Sequence, residues 1–162
     1  MAQNLIQLLE GSTLNIWVLS TAWLWPLLEI LHFVGLSLLL GAMLVIDIRL
    51  AGFVQKMHIQ RTHDLLPVAG IGFLINTLTG VLFFVGDPAR YAINVGFQIK
   101  MLLVLIAGLN ALWFAIKINP EMHRWDPYAD TNIAAKTVAY VSLVAWFGVL
   151  LLGRLIPYVS TG

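Results

Sequence analysis

Two side chains that can bind a metal or move a proton lie close together in an otherwise apolar stretch. Residues 27–49 read LLEILHFVGLSLLLGAMLVIDIR, with Glu29 and His32 spaced i, i+3. On a helix this spacing places both side chains within reach of one ion. Ionisable residues at membrane depth are costly to insert and commonly mark a functional site. Glu29 and His32 are therefore the first candidate site residues.

Haem ligation is the first chemistry that His32 suggests, because histidine is a common axial ligand of haem iron. Lys100 and Arg154 are predicted at the same depth, where basic side chains would meet the propionates of a b-type haem. The three other histidines are predicted about 20 Å deeper, too far to share the iron. A five-coordinate haem, or a second ligand from Met43 or a partner chain, would then be needed.

Other uses of the same residues are open. His32 and Glu29 are candidates for binding copper or another cation, for relaying protons or for contacting a quinone headgroup. In a purely structural interpretation Glu29 pairs with Arg154 or Lys100, and Asn76 hydrogen-bonds between helices. The cofactor-binding candidates are Glu29, His32, Asn76, Lys100 and Arg154, and the metal candidate is His32.

A second polar group is predicted at the opposite membrane face, where the first helix ends and the fourth begins. Its simplest interpretation is ion pairing of Asp47 with Arg49 or Lys136. The group comprises Asp47, Arg49, Arg61, His63, Asp64 and Lys136.

The composition sets the class of protein. The chain is 60% hydrophobic and 10% charged, against about 45–50% and about 25% in soluble domains. We therefore expect an integral membrane protein in contact with the lipid bilayer. The net charge of +1, with dispersed basic residues, argues against nucleic acid binding. The absence of cysteine excludes disulfides, Fe–S clusters and thiolate metal sites.

Four apolar stretches have the length of about 20 residues that a spanning helix requires. The predicted spans are 25–48, 65–86, 97–118 and 134–158. Asp87-Pro88 and Asn119-Pro120 are predicted to end the second and third spans, and Thr131 or Asn132 to cap the fourth. Upstream, NLIQLLE and LNIWVLS indicate short interfacial helices. Residues 1–162 are thus predicted to form one all-α domain, a four-helix transmembrane bundle.

Basic residues predict the orientation, because lysine and arginine are enriched on the cytoplasmic side. Six flank the first and third connections and three lie on the other side. Both termini are then periplasmic in a bacterial inner (plasma) membrane, and no cleaved signal peptide is expected. The two sets are Arg49, Lys56, Arg61, Lys117, Arg124 and Lys136 against Arg90, Lys100 and Arg154.

Several stretches resemble small four-span bacterial inner-membrane proteins of undefined function. They are EILHFVGLSLLLGAMLVIDIRLAG, the stretch from LLPVAGIGF to LNALWF, and SLVAWFGVLLLGRLIPY. The first is more distantly similar to copper-resistance D-type membrane proteins. The resemblance implies the topology, and matching positions include Glu29, His32, Asp47, Arg49, Asn76, Lys100, Asn110 and Arg154. In that group a histidine follows the Asn-Ala-Leu-aromatic-aromatic stretch. Ala115 stands there in this chain, which implies that half of a paired-histidine site is missing.

Three functions follow as hypotheses. The first is a small membrane subunit in a redox or respiratory context, with haem b on His32. The second is a structural or anchoring subunit of a larger membrane complex or homo-oligomer. The third is a permease for copper or another metal ion. The sequence has no catalytic motif and favours an electron-transfer or accessory subunit over a stand-alone enzyme.

Overall fold

The structure, a computed structural model, describes residues 2–122, 125, 130–156 and 158. The described residues form helices joined by short turns and loops and contain no strand, which confirms the all-α prediction. A 3₁₀ segment (Ile59–Leu65) precedes the fourth helix, and a π-helical turn (Phe114–Ile118) follows the sixth. The helices are α1 (Ala2–Leu9), α2 (Thr13–Ser20), α3 (Leu24–Leu50), α4 (Leu66–Gly86), α5 (Pro88–Ala92), α6 (Val95–Trp113), α7 (Asn119–Met122) and α8 (Ile133–Leu155).

Four helical stretches are long and apolar enough to cross a membrane, as predicted. They are Leu24–Leu50, Leu66–Gly86, Val95–Met122 and Ile133–Leu155. Between 11% and 33% of the residues in their most apolar windows are buried inside the bundle. The remaining large apolar side chains face outward, where hydrocarbon is the solvent that suits them.

The predicted helix ends are confirmed at two of the three marked positions. Asp87 ends α4, and its side chain accepts a hydrogen bond from the Arg90 backbone N–H at 3.2 Å. Asn132, rather than Thr131, caps α8 by accepting from the Ala135 N–H at 2.8 Å.

The third marked position, Asn119-Pro120, does not end the third span, and this prediction is wrong. The helical stretch continues to Met122 through the π-helical turn. Proline removes one N–H donor and crowds the preceding turn. The wider π turn directly before it is a local distortion of the kind that lets a helix pass such a residue.

Hydrogen bonds between residues far apart in the sequence show which segments meet at each of the two ends of the bundle. At the terminal end Asn94 Nδ2 donates to the Ile156 carbonyl at 3.1 Å, joining the start of α6 to the end of α8. At the loop end, which in the described structure includes residues 51–65, 119–122 and 130–132, Thr131 Oγ1 donates to the Leu50 carbonyl at 2.5 Å. His32 therefore lies in the terminal half and Asp47 at the loop end.

The helix packing places α3 against α4 and α8, and α6 against α8. In the α3–α4 contact the two backbones approach closely: a Cβ at Gly72 would lie 2.6 Å from the Gly35 carbonyl oxygen. Both predicted N-terminal helices form, and α2 is held by Asn15. Its Nδ2 donates to the Val85 carbonyl at 2.7 Å.

Candidate functional site

His32 joins α3 to α4 through a partly buried hydrogen bond. Its Nδ1 lies 2.7 Å from Thr79 Oγ1, and Thr79 is 4% exposed. The Thr79 hydroxyl also donates to the Ile75 carbonyl at 2.7 Å. Because a hydroxyl has one proton, Nδ1–H of His32 donates to Thr79, and Nε2 carries the lone pair. The ring packs edge-on against Phe83 with centroids 5.5 Å apart.

Lys100 is the second predicted residue that the fold brings to this region. It is half-buried in α6, and its Nζ lies 3.5 Å from where a Cβ of Gly153 would stand in α8. Its charge acts on the His32 imidazole. His32 and Lys100 are thus neighbours in the terminal half of the bundle, as the sequence predicted.

Glu29 and Arg154 do not join them, and the predicted ion pairs of Glu29 are wrong. Both side chains are exposed, and Glu29 Oε1 accepts from Trp25 Nε1 at 3.1 Å. The reason is angular: i, i+3 spacing on a helix leaves the two side chains about 60° apart. His32 points at α4, and this offset turns Glu29 to the surface.

Asn76 lies one turn before Thr79 but bonds within its own helix. Its Nδ2 donates to the Gly72 carbonyl at 3.1 Å. It also lies against Gly35 of α3, where a Cβ would stand 2.8 Å from Nδ2. Its predicted hydrogen bond between helices is replaced by close packing, because the two glycines bring α3 and α4 together.

The predicted metal site is not assembled by the residues that the structure describes. Within them no three His, Asp or Glu side chains gather where an ion would be held. Glu29 and His32 diverge, so the i, i+3 pair does not converge on one ion. Copper binding at His32 therefore stays a prediction.

The described surroundings of His32 fit part of a haem site only. An axial histidine normally has its second nitrogen hydrogen-bonded, as Nδ1 of His32 is. Arg154, however, lies at the surface away from the predicted propionates. One turn from His32, Gly35 and Gly72 bring the α3 and α4 backbones close together, so a porphyrin would not fit between the two helices at that point. The residues that the structure describes around His32 therefore do not fit a haem.

At the loop end the charged side chains have partners other than those that the sequence predicted. Lys136 Nζ pairs with Asp130 at 2.6 Å, and Arg49 Nε donates to the Met57 carbonyl at 2.6 Å. The predicted Asp47–Lys136 pair is therefore wrong. The hydrogen bond from Lys136 holds the pKa of Asp130 below its ordinary value.

Asp47 instead shares a cavity with Ser142 and Asn119, two residues that sequence analysis missed. All three line one cavity of about 120 Å³ between α3, α4, the end of the third span and α8. The available signals were a lone serine in the apolar stretch AYVSLVAW and the asparagine of Asn-Pro. Of the other predicted members, Arg61 and Asp64 are exposed, and the side chain of His63 lies outside the described residues.

Fold and site together define an all-α integral membrane protein with polar groups inside a four-helix bundle. No family model, curated protein or solved structure matches the chain. The resemblance to copper-resistance D-type proteins therefore stays a prediction, carried by the quoted residues alone.

Proposed function

We propose that the chain is a small structural or anchoring subunit of a larger assembly in a bacterial inner membrane, with both termini periplasmic. The observation that supports this is how the interior polar side chains are used. In the described structure, four of these side chains each join one helix to another through a hydrogen bond. The pairs are His32 with Thr79, Asn15 with Val85, Asn94 with Ile156 and Asn110 with Val138.

These bonds suit a scaffold. In hydrocarbon, side-chain hydrogen bonds between helices and close contacts of small residues replace the hydrophobic effect as the cause of association. The His32–Thr79 bond lies on the same α3–α4 seam as Gly35 and Gly72. Polar groups used in this way fix how the helices pack against one another, and this role requires no catalysis.

The test is the size of the particle extracted from native membranes in a mild detergent. We expect the 18.0 kDa chain to migrate in a complex larger than one copy in its micelle. His32→Ala should leave the chain in that complex, because the proposal gives the imidazole no role in chemistry. Migration as a single copy under every mild condition would contradict the proposal.

Haem binding in a redox or respiratory subunit is the alternative hypothesis for His32, and it would need haem contacts that the residues described around this side chain do not supply. An absorption spectrum of the purified protein separates the two. A Soret band that disappears in His32→Ala would favour the redox subunit. Colourless protein, purified from haem-replete cells, would favour the scaffold. Copper uptake that depends on Glu29 and His32 would favour the permease.

A further inference from the structure

The loop end contains buried oxygen atoms that the protein itself does not use. Asp47 and Ser142 are each 2% exposed. Asp47 Oδ2, Ser142 Oγ and Asn119 Oδ1 are buried and have no hydrogen-bond partner within the described structure. Ser142 lies near the Asp47 side chain, but neither Asp47 Oδ2 nor Ser142 Oγ has a partner in hydrogen-bond geometry within the described structure. Because native proteins rarely leave buried polar atoms without partners, such a set indicates a ligand.

The three oxygen atoms belong to side chains that line the same cavity. The space measures about 120 Å³, enough for a small ion together with water. Its polar lining is completed by Asn110, and its remaining walls are apolar. Asn119 directly follows the π-helical turn Phe114–Ile118. Turns of this kind are frequent where a helix presents a functional group.

The chemistry of the lining selects the ligand. Carboxylate, amide and hydroxyl oxygens prefer hard cations over soft ones. Asp47 is the single ionisable residue among those that line this cavity in the described structure. One carboxylate neutralises one positive charge, whereas a divalent ion would leave an uncompensated charge in a medium of low dielectric constant. The site is therefore matched to a monovalent ion.

We propose that Asp47, Ser142 and Asn119 bind a small monovalent cation of the Na⁺ class at the loop end. The ion supplies the partner that each buried oxygen lacks and links α3, α7 and α8. The scaffold role proposed above does not require this site. The inference adds an ion dependence to the packing of the bundle and stands on different residues.

Ion-dependent thermal unfolding of the purified protein in detergent is the test. The protein is prepared in choline chloride and titrated with NaCl, LiCl or KCl at constant ionic strength. We expect a saturable rise in Tm with Na⁺, about 5–10 °C when the ion reaches about 100 times its Kd. Asp47→Asn should abolish the rise. Glu29→Gln, which changes an exposed carboxylate on the same helix, should keep it.

Two further measurements decide the matter if Asp47→Asn does not fold. Equilibrium binding of radioactive sodium to the wild-type protein should give one site per chain, and no stoichiometric binding would overturn the proposal. Ser142→Ala removes one ligand oxygen and should weaken sodium binding about tenfold. Unchanged affinity in that variant, or a sodium-dependent Tm rise that survives in Asp47→Asn, would also overturn it.

Discussion

At the scale of single residues, the same type of side chain has different roles according to the face it occupies. Thr77 and Thr79 both donate to a carbonyl one turn earlier in α4, at 2.8 Å and 2.7 Å. Thr79 alone of the two also accepts from His32 across the helix interface. Comparing Thr77 with Thr79 therefore distinguishes the effect of a hydrogen bond within one helix from that of a hydrogen bond between helices.

Thr79→Val should destabilise the bundle, since it removes the acceptor for His32 Nδ1–H and keeps the shape of the side chain. Bonds of this kind contribute about 0.6 kcal/mol on average and up to about 1.7 kcal/mol. Unfolding in detergent measures the loss. Thr77→Val is the control, because it loses only the bond within its own helix. Equal stability of the two variants would show that the bond between helices contributes nothing.

A second residue-scale prediction concerns Tyr91, which lies in α5 outside the spans. Burial is the main reason that the pKa of its phenol lies above the ordinary value of 10.0. The folded protein then holds this proton more tightly than the unfolded chain does. The stabilising effect is fully present below pH 10 and is lost as the pH rises from there towards the folded pKa.

Tyr91→Phe removes this alkaline loss. We expect Tm of the wild type to fall more steeply than that of the variant above about pH 10. Thermal scans of both proteins in detergent over pH 8 to 11 make the comparison, and the difference between the two curves cancels the titration of the lysines. Parallel curves would mean that the phenol does not contribute to the pH dependence of stability.

At the scale of elements, α3 and α4 form the closest pair through two facing glycines. A Cβ at Gly72 would meet two backbone atoms of α3 at 2.6 Å, the Gly35 oxygen and the Leu39 nitrogen. Backbone atoms cannot move aside as a flexible side chain can. At Gly41 and Gly108, by contrast, nothing lies within 4 Å of where a Cβ would stand.

Gly72→Ala should therefore push α3 and α4 apart and destabilise the bundle by about 1–3 kcal/mol, the usual effect of overpacking. Gly108→Ala in α6 is the matched control. It should be neutral or stabilise by up to about 1 kcal/mol, because alanine restricts the unfolded chain more than glycine does. Unfolding in detergent distinguishes them. If Gly72→Ala were as stable as Gly108→Ala, the seam would be looser than the structure shows.

At the scale of the whole molecule, the bundle places the start of α6 and the end of α8 together at one end. The link of Asn15 to the end of α4 brings the N-terminal helices to the same end. A chain that crosses a membrane four times returns to the side on which its first span began, and these two hydrogen bonds agree with that arrangement. The excess of basic residues in the first and third connections predicts which end faces the cytoplasm.

Cysteine labelling tests that orientation directly, since the chain has no native cysteine. Single cysteines at Glu10 and Arg90 should react with a membrane-impermeant maleimide added to intact cells. A cysteine at Lys56 should react only after the membrane is permeabilised. The reverse pattern would show that the basic residues do not set the orientation, and labelling of all three would show that the chain does not cross the bilayer as four spans.

The sequence by itself determined the class and the elements of this protein. Runs of about 20 apolar residues have only one way to satisfy their backbone in lipid. Local signals such as Asp87 and Asn132 act on neighbours a few residues away, so the ends they mark were predictable. Asn119-Pro120 was not, because the π turn that accommodates it depends on how the third span packs.

The partners of the polar residues were decided by the tertiary structure alone. Helical periodicity placed Glu29 and His32 on one side of α3. Only the position of α4 selects His32 for the interior and turns Glu29 outward. Likewise Asp47 meets Ser142 and Asn119 from helices far along the chain, since the approach of distant helices is set by the sum of many packing contacts.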